Sequence, residues 1–154
     1  AKRRRSPSAG SDAGAMTPPL SGLLETCLYV DDMARSKAFY AAVLGIEPLF
    51  EEERICVFRL PDGTVLILFA RGSTLEPVVT PDGTIPPHDG HGPIHFALGI
   101  PPGSVDEWCR HLEACGVAVE SEVRWSRGRG HSLYFRDPDG HAAELATREL
   151  WSRS

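Results

Sequence analysis

The chain has no C-x-x-C pair, no long apolar run and no broad basic face, and each shortage removes a class of protein. Its four cysteines, Cys27, Cys56, Cys109 and Cys115, lack the spacing of a zinc knot. Cys27 and Cys56 fall inside apolar strand patterns, where cysteine acts as a small buried hydrophobe, and all four read as structural thiols. No apolar stretch approaches the roughly 18 residues that a membrane-crossing helix requires, so no membrane partner is expected. Lys2–Arg5 are not followed by the apolar segment of a secretory signal, which makes the cytoplasm the expected location. Positive charge is short as well. The formal net charge is −5, and the first sixteen residues hold about +3 of their own, leaving about −8 elsewhere. Such an acidic body repels phosphate backbones, which excludes nucleic acid.

What is present is an ordinary globular composition, 42% hydrophobic and 24% charged over 154 residues, enough for one domain. Residues 1–20, rich in Ser, Ala, Gly and Pro, have no hydrophobic period and read as a flexible leader, with a single domain over 21–150. Alternation over 24–30 predicts a strand. Asp31 or Asp32 caps a predicted helix that runs to Leu44, with Ala38, Phe39, Ala42 and Val43 as its apolar stripe and Gly45 as its stop. Strands near 49–53, 54–60 and 65–69 complete a first module, about 23–71. Residues 72–93 hold five prolines and are expected to be a linker without regular structure. The pattern then restarts as a second module, about 94–148: a strand over 94–100, a capping box Ser104–Glu107 opening a helix, strands near 117–123 and 132–136, the turn Asp137-Pro-Asp-Gly140, and a strand over 141–147.

Residues 57–71 (VFRLPDGTVLILFAR) align without gaps on 134–148 (YFRDPDGHAAELATR). Seven of the fifteen positions are identical, where chance gives about one. The first strands match at an offset of 70, which sets Glu25 opposite His95. The chain is therefore α+β, two tandem copies of a βαβββ unit.

Side chains alternate across a strand, so the uniformly apolar stripes (Leu24/Thr26/Leu28/Val30, Ile94/Phe96/Leu98/Ile100, Leu66/Leu68 and Ala143/Leu145) belong beneath the helices. Glu25, His95 and Glu144, with Ile67, then face the other, concave side, where Cys27, Ala97 and Gly99 are small enough to leave room for a ligand. Alone, Glu25 reads as a solvated edge carboxylate and His95 as a satisfied core histidine. Glu144, set in Ala-Ala-Glu-Leu-Ala, is expensive to bury without a partner. Together they favour a divalent metal.

These residues carry a resemblance to the vicinal oxygen chelate superfamily, the glyoxalase, bleomycin-resistance and dioxygenase group. Tyr29–Gly45 resembles its first-module signature, and Phe135–Gly140 followed by Glu144-Leu145 resembles its closing one. The resemblance spans roughly residues 23–148. It implies two βαβββ modules forming a cup-shaped mixed sheet, often a homodimer, with a metal held by residues of the first and last module strands. By position these are Glu25, Ile67, His95 and Glu144. His95 and Glu144 match the family's histidine and glutamate. Ile67 stands where glyoxalase I-like enzymes carry a second glutamate, and Glu25 stands where extradiol dioxygenases and fosfomycin-resistance transferases carry a histidine.

Two readings follow. In the first, Glu25, His95 and Glu144 bind a divalent ion (Fe, Mn, Zn, Ni or Mg) within about 4 Å of one another. Glu144 or Glu25 then moves a proton on a small substrate that chelates through adjacent oxygens, in a lyase, isomerase or dioxygenase reaction. In the second, a metal-free cup with Tyr29, Phe69 and Trp125 sequesters a small toxic ligand, as bleomycin-resistance members do. Pro87-His-Asp-Gly-His91 reads as a turn-rich linker or a lid. Trp125–His131 is a basic loop that could contact an anion through Arg127 or Arg129. His141 is expected to be exposed at a strand start, and His111 to lie on the polar face of its helix.

Overall fold

Alternation in the first segment becomes strand β1 (Glu25–Val30), and the periodic segment after it becomes helix α1 (Met33–Leu44). The computed structural model describes residues 17–152. The first sixteen residues of the expected leader therefore lie outside the described residues. Strands β2 (Phe50–Glu52), β3 (Ile55–Arg59) and β4 (Val65–Ala70) follow. The second module repeats the order with β7 (His95–Ile100), α2 (Val105–Ala114), β8 (Val119–Arg124), β9 (His131–Arg136) and β10 (Ala142–Thr147). Each module forms a four-stranded mixed sheet, β1-β4-β3-β2 and β7-β10-β9-β8. The last strand returns parallel beside the first, which leaves β1 and β7 as edges. Among the described residues no strand of one sheet pairs with a strand of the other.

The segment 72–93 is not structureless. It carries a two-stranded hairpin, β5 (Val78–Thr80) and β6 (Gly83–Ile85). Pro81-Asp82-Gly83 closes it, a third use of the turn tripeptide that ends β3 and β9. The polypeptide then packs back on the first sheet. His88 sits 4.8 Å from the Phe69 ring and accepts from or donates to the Tyr29 hydroxyl at 2.7 Å. Gly90 approaches so closely that a Cβ there would stand 2.5 Å from the Tyr29 ring, which is why glycine is needed.

Both helix readings need correction in detail. Asp32 caps α1 by accepting from Arg35 N–H at 2.9 Å, and Gly45 closes it with φ 66°, as expected. Its buried face, however, is Ser36, Tyr40 and Val43, while Ala38 and Ala42 are exposed. Ser104 makes no side-chain cap on α2, since its hydroxyl donates to the Pro101 carbonyl at 2.7 Å. Asp106 and Glu107 instead complement the positive end of that helix.

Ser36 and Tyr40 are buried because the second module supplies their partners. Tyr40 donates to the Asp137 carboxylate at 2.6 Å, and Ser36 donates to Asp139 at 3.0 Å. Asp137 also accepts from the backbone N–H of Asp139 and His141, and Asp139 accepts from Asp31 N–H at 2.8 Å. His141, expected at the surface, is 1% exposed. Its Nδ1 accepts from Ile94 N–H at 3.0 Å, so in the neutral ring Nε2 carries the proton and donates to the Tyr29 carbonyl at 2.9 Å. This polar stitch joins the β9–β10 turn to the end of β1. Around it runs one continuous core with residues from both modules, including Leu28, Tyr40, Phe58, Phe96, Leu112 and Phe135. His111 is half-buried and also joins the modules, through Nε2 2.9 Å from the Val43 carbonyl.

Candidate metal and catalytic site

Register puts His95 and Glu144 on one face of the second sheet. His95 lies beside Ala142 and Glu144 beside Ala97, so the two side chains are diagonal neighbours on adjacent parallel strands. His95 Nε2 stands 3.2 Å from Glu144 Oε2. The His95 Nδ1 is 2.9 Å from the Ala142 carbonyl oxygen, which can only accept, so Nδ1 carries the proton of the neutral ring. Nε2 then presents its lone pair to a carboxylate. Two acceptors face each other at hydrogen-bond distance, an arrangement that a shared proton or a cation relieves.

Glu144 strengthens that reading. It is 4% exposed, and its second oxygen, Oε1, is buried without a hydrogen-bond partner. A buried carboxylate oxygen with nothing to accept from is costly, by about 1–3 kcal/mol or more for a charged group. Tyr134, opposite Glu144 on β9, completes the local wall, with its ring 6.0 Å from that of His95. Burial first, then the neighbouring Glu144 carboxylate, push the Tyr134 phenol above its ordinary value. Sequence reading did not single Tyr134 out, although its register follows from the same strand alternation that found Glu144.

Glu25 does not join this pair. It is exposed at the start of β1, beside Val65, on the first sheet. No group of three His, Cys, Asp or Glu among the described residues is placed to hold a metal ion. Of the three side chains expected to converge, His95 and Glu144 come together within one chain and Glu25 does not. Ile67, at the position equivalent to Glu144, is buried at 7% exposure and offers no donor. Cys27 shares its face, and burial and then Glu25 raise its thiol above the ordinary value, which disfavours a reactive thiolate. All four cysteines are free.

The other candidates are engaged elsewhere. Tyr29 and Phe69 stack at 6.0 Å with His88 over them. Trp125 donates its indole N–H to Ser132 at 2.8 Å. His91 is exposed and 3.3 Å from Asp89. In the basic loop, His131 pairs with Glu122 at 2.7 Å and Arg129 reaches the Ser126 carbonyl. The Arg127 side chain lies outside the described residues.

Paired βαβββ modules with a histidine–glutamate pair on one face of the second sheet are the arrangement of a glyoxalase-type protein. The Glyoxalase/Bleomycin resistance protein/Dioxygenase superfamily profile matches residues 22–145, and the chain belongs to that superfamily. It is 26% identical to the metallothiol transferase FosB of Bacillus licheniformis over 86% of this chain and 79% of that one. Glyoxalase I of Saccharomyces cerevisiae is 29% identical over 86% of this chain, which spans about half (47%) of that protein's length. Among solved structures, a lactoylglutathione lyase from Agrobacterium tumefaciens superposes with a TM-score of 0.79 at 32% identity, covering 88% of this chain and all of that one. No helix among the described residues is long and apolar enough to cross a membrane.

Proposed function

We propose that this protein is a divalent-metal-dependent enzyme of the glyoxalase type, acting on a small substrate that presents two adjacent oxygens. The observation that carries the reading is the facing pair His95 Nε2 and Glu144 Oε2, with Glu144 Oε1 buried and unpartnered. His95 and Glu144 would hold the ion, and Glu25 is the proposed third ligand. Since β1 and β7 are both edge strands, a homodimer is the proposed assembly, in which Glu25 of one copy reaches the His95–Glu144 pair of another. A divalent ion there would supply Lewis-acid polarisation of the substrate oxygens. Glu144, shielded from water, and Glu25, open to it, are the groups proposed to take and return a proton at the substrate carbon. Ala97, beside Glu144, is small and leaves room for the substrate. The names of the relatives cover thiol transfer and glyoxalase chemistry, and the reaction proposed here is of the lyase, isomerase or dioxygenase type. A cytoplasmic location goes with this reading.

The test is metal content by mass spectrometry on untagged protein, wild type beside His95→Ala and Glu25→Ala, with the oligomeric state of each measured in parallel. Near-stoichiometric metal that is lost in His95→Ala supports the proposal. Its loss in Glu25→Ala, with the dimer intact, supports the third ligand. No metal in the wild type after incubation with Mn²⁺, Fe²⁺, Ni²⁺ and Zn²⁺ would sink the proposal and leave ligand sequestration as the reading.

A further inference from the structure

The duplication gives the molecule two junctions between modules. One is the stitch at the end of β1, made by Ser36, Tyr40, Asp137, Asp139 and His141. Its equivalent lies at the end of β7, where every polar member but Asp139 is replaced. At the offset of 77, Asp137 becomes Leu60, Asp139 becomes Asp62 and His141 becomes Thr64. At the offset of 70, Asp31, whose N–H binds Asp139, becomes Pro101, which has no N–H. With the helices aligned at their caps, Asp32 and Ser104, Ser36 becomes Trp108 and Tyr40 becomes Leu112. The second junction cannot form the stitch. Asp62 turns back instead onto its own Thr64, through the hydroxyl and the backbone N–H.

What remains there is a cavity of about 410 Å³, walled by Leu44, Ile46, Leu98, Ile100 and Trp108, with Arg148 at its edge. A larger hollow of about 740 Å³ adjoins it and shares Leu60, Asp62, Leu98, Gly99 and Arg148. The arginines differ as the junctions do. Arg71 binds the Tyr29 and Gly90 carbonyls and Asp31. Its mate Arg148 lies across Gly99, with its side chain 79% exposed and its nearest carboxylate, Asp62, 4.0 Å away. At the equivalent position Tyr29 would stand in place of Gly99, so the missing side chain opens the approach to the guanidinium.

We propose that this second junction is a binding site for a small amphipathic carboxylate: an apolar body of a few to a dozen carbons seated against Trp108 and Leu98, with its head on Arg148. The volume falls within the roughly 300–1,000 Å³ of small-molecule sites, and the lining has their usual character, apolar walls with one orienting charge. A planar guanidinium with free donors matches a carboxylate in a bidentate fork. The Asp62 carboxylate at the rim sets the selectivity. It repels dianions and phosphates, and leaves a monocarboxylate as the fitting anion. The apolar walls Leu98 and Ile100 lie across the sheet from the His95–Glu144 pair, while Arg148, over Gly99, lies on the pair's face toward the other end of β7.

The probe is 4-phenylbutyrate, titrated calorimetrically into the full chain beside its neutral amide, with backbone and indole NMR shifts to locate it. The expected result is saturable binding that moves the Trp108, Leu98 and Ile100 signals. The amide and Arg148→Gln should each weaken it by about tenfold or more, and His95→Ala should leave it unchanged. Because Arg148 is exposed, the variant's fold is not at risk, and a matched unfolding curve checks it. Absence of saturable binding up to about 10 mM, equal affinity for the amide, or binding that follows His95 instead of Arg148 would each overturn the proposal.

Discussion

The Asp137–His141 turn and the Leu60–Thr64 turn occupy equivalent positions in one duplicated unit, and only the first is built into the fold. The first is tied by hydrogen bonds to β1, α1 and the start of β7. The second is half solvent and half cavity wall. Both retain Pro-Asp-Gly, which fixes the turn itself. The difference lies in the flanking side chains, and it shows that duplication supplies a geometry while single residues decide whether a symmetric contact becomes structure or a cavity.

Breaking the closed junction should have the largest effect. Asp137 is 5% exposed and accepts from the Tyr40 hydroxyl and two backbone N–H groups. Asp137→Ala leaves three donors with no partner, and urea unfolding should show a loss of about 3–5 kcal/mol. Its mate Leu60 is only half-buried, so Leu60→Ala should cost about 1 kcal/mol. Equal losses would mean that the stitch contributes nothing beyond ordinary packing.

The next effect depends on pH. Burial first, and then the Asp137 carboxylate, hold the Tyr40 phenol far above its ordinary range. The unfolded chain sheds that proton near pH ~10 while the folded chain keeps it. Tyr40 therefore stabilises the fold fully below that pH, and its contribution drains away as pH rises beyond it. Tyr40→Phe should cost about 2 kcal/mol at pH 7 and show a shallower alkaline decline than wild type in unfolding curves between pH 8 and 11. A parallel decline in both proteins would remove Tyr40 as its source.

Strand alternation made the sheets and the His95–Glu144 face legible, because a period of two assigns each side chain to a face without knowledge of the rest of the chain. It also located the repeat, and with it both modules. The stitch was not legible. Its members are polar residues buried by partners about 100 positions away, so Ser36, Tyr40 and His141 look like surface residues to any local pattern. The buried face of α1 was misread for the same reason. The hairpin at 78–85 was in principle readable from its Pro-Asp-Gly, but its three-residue strands carry too little alternation to stand out. Whether Glu25 reaches the His95–Glu144 pair depends on how modules meet, in one chain or between two, and no periodicity encodes that.

The mildest contrast is between the repeated arginines, and it tests the asymmetry without touching a core residue. Arg71 is mostly buried, at 21% side-chain exposure, and satisfies two backbone carbonyls that hold the 86–90 segment on β1. Arg71→Ala should therefore cost about 1–2 kcal/mol, since both carbonyls lose a charged donor. Arg148→Ala gives up only a long, solvent-screened pair with Asp62 and should stay within about 0.5 kcal/mol of wild type. Thermal melts of the two variants, side by side, measure the difference. A large loss for Arg148→Ala would mean that the second junction is held together by its arginine, and that the cavity beside it is closed in solution.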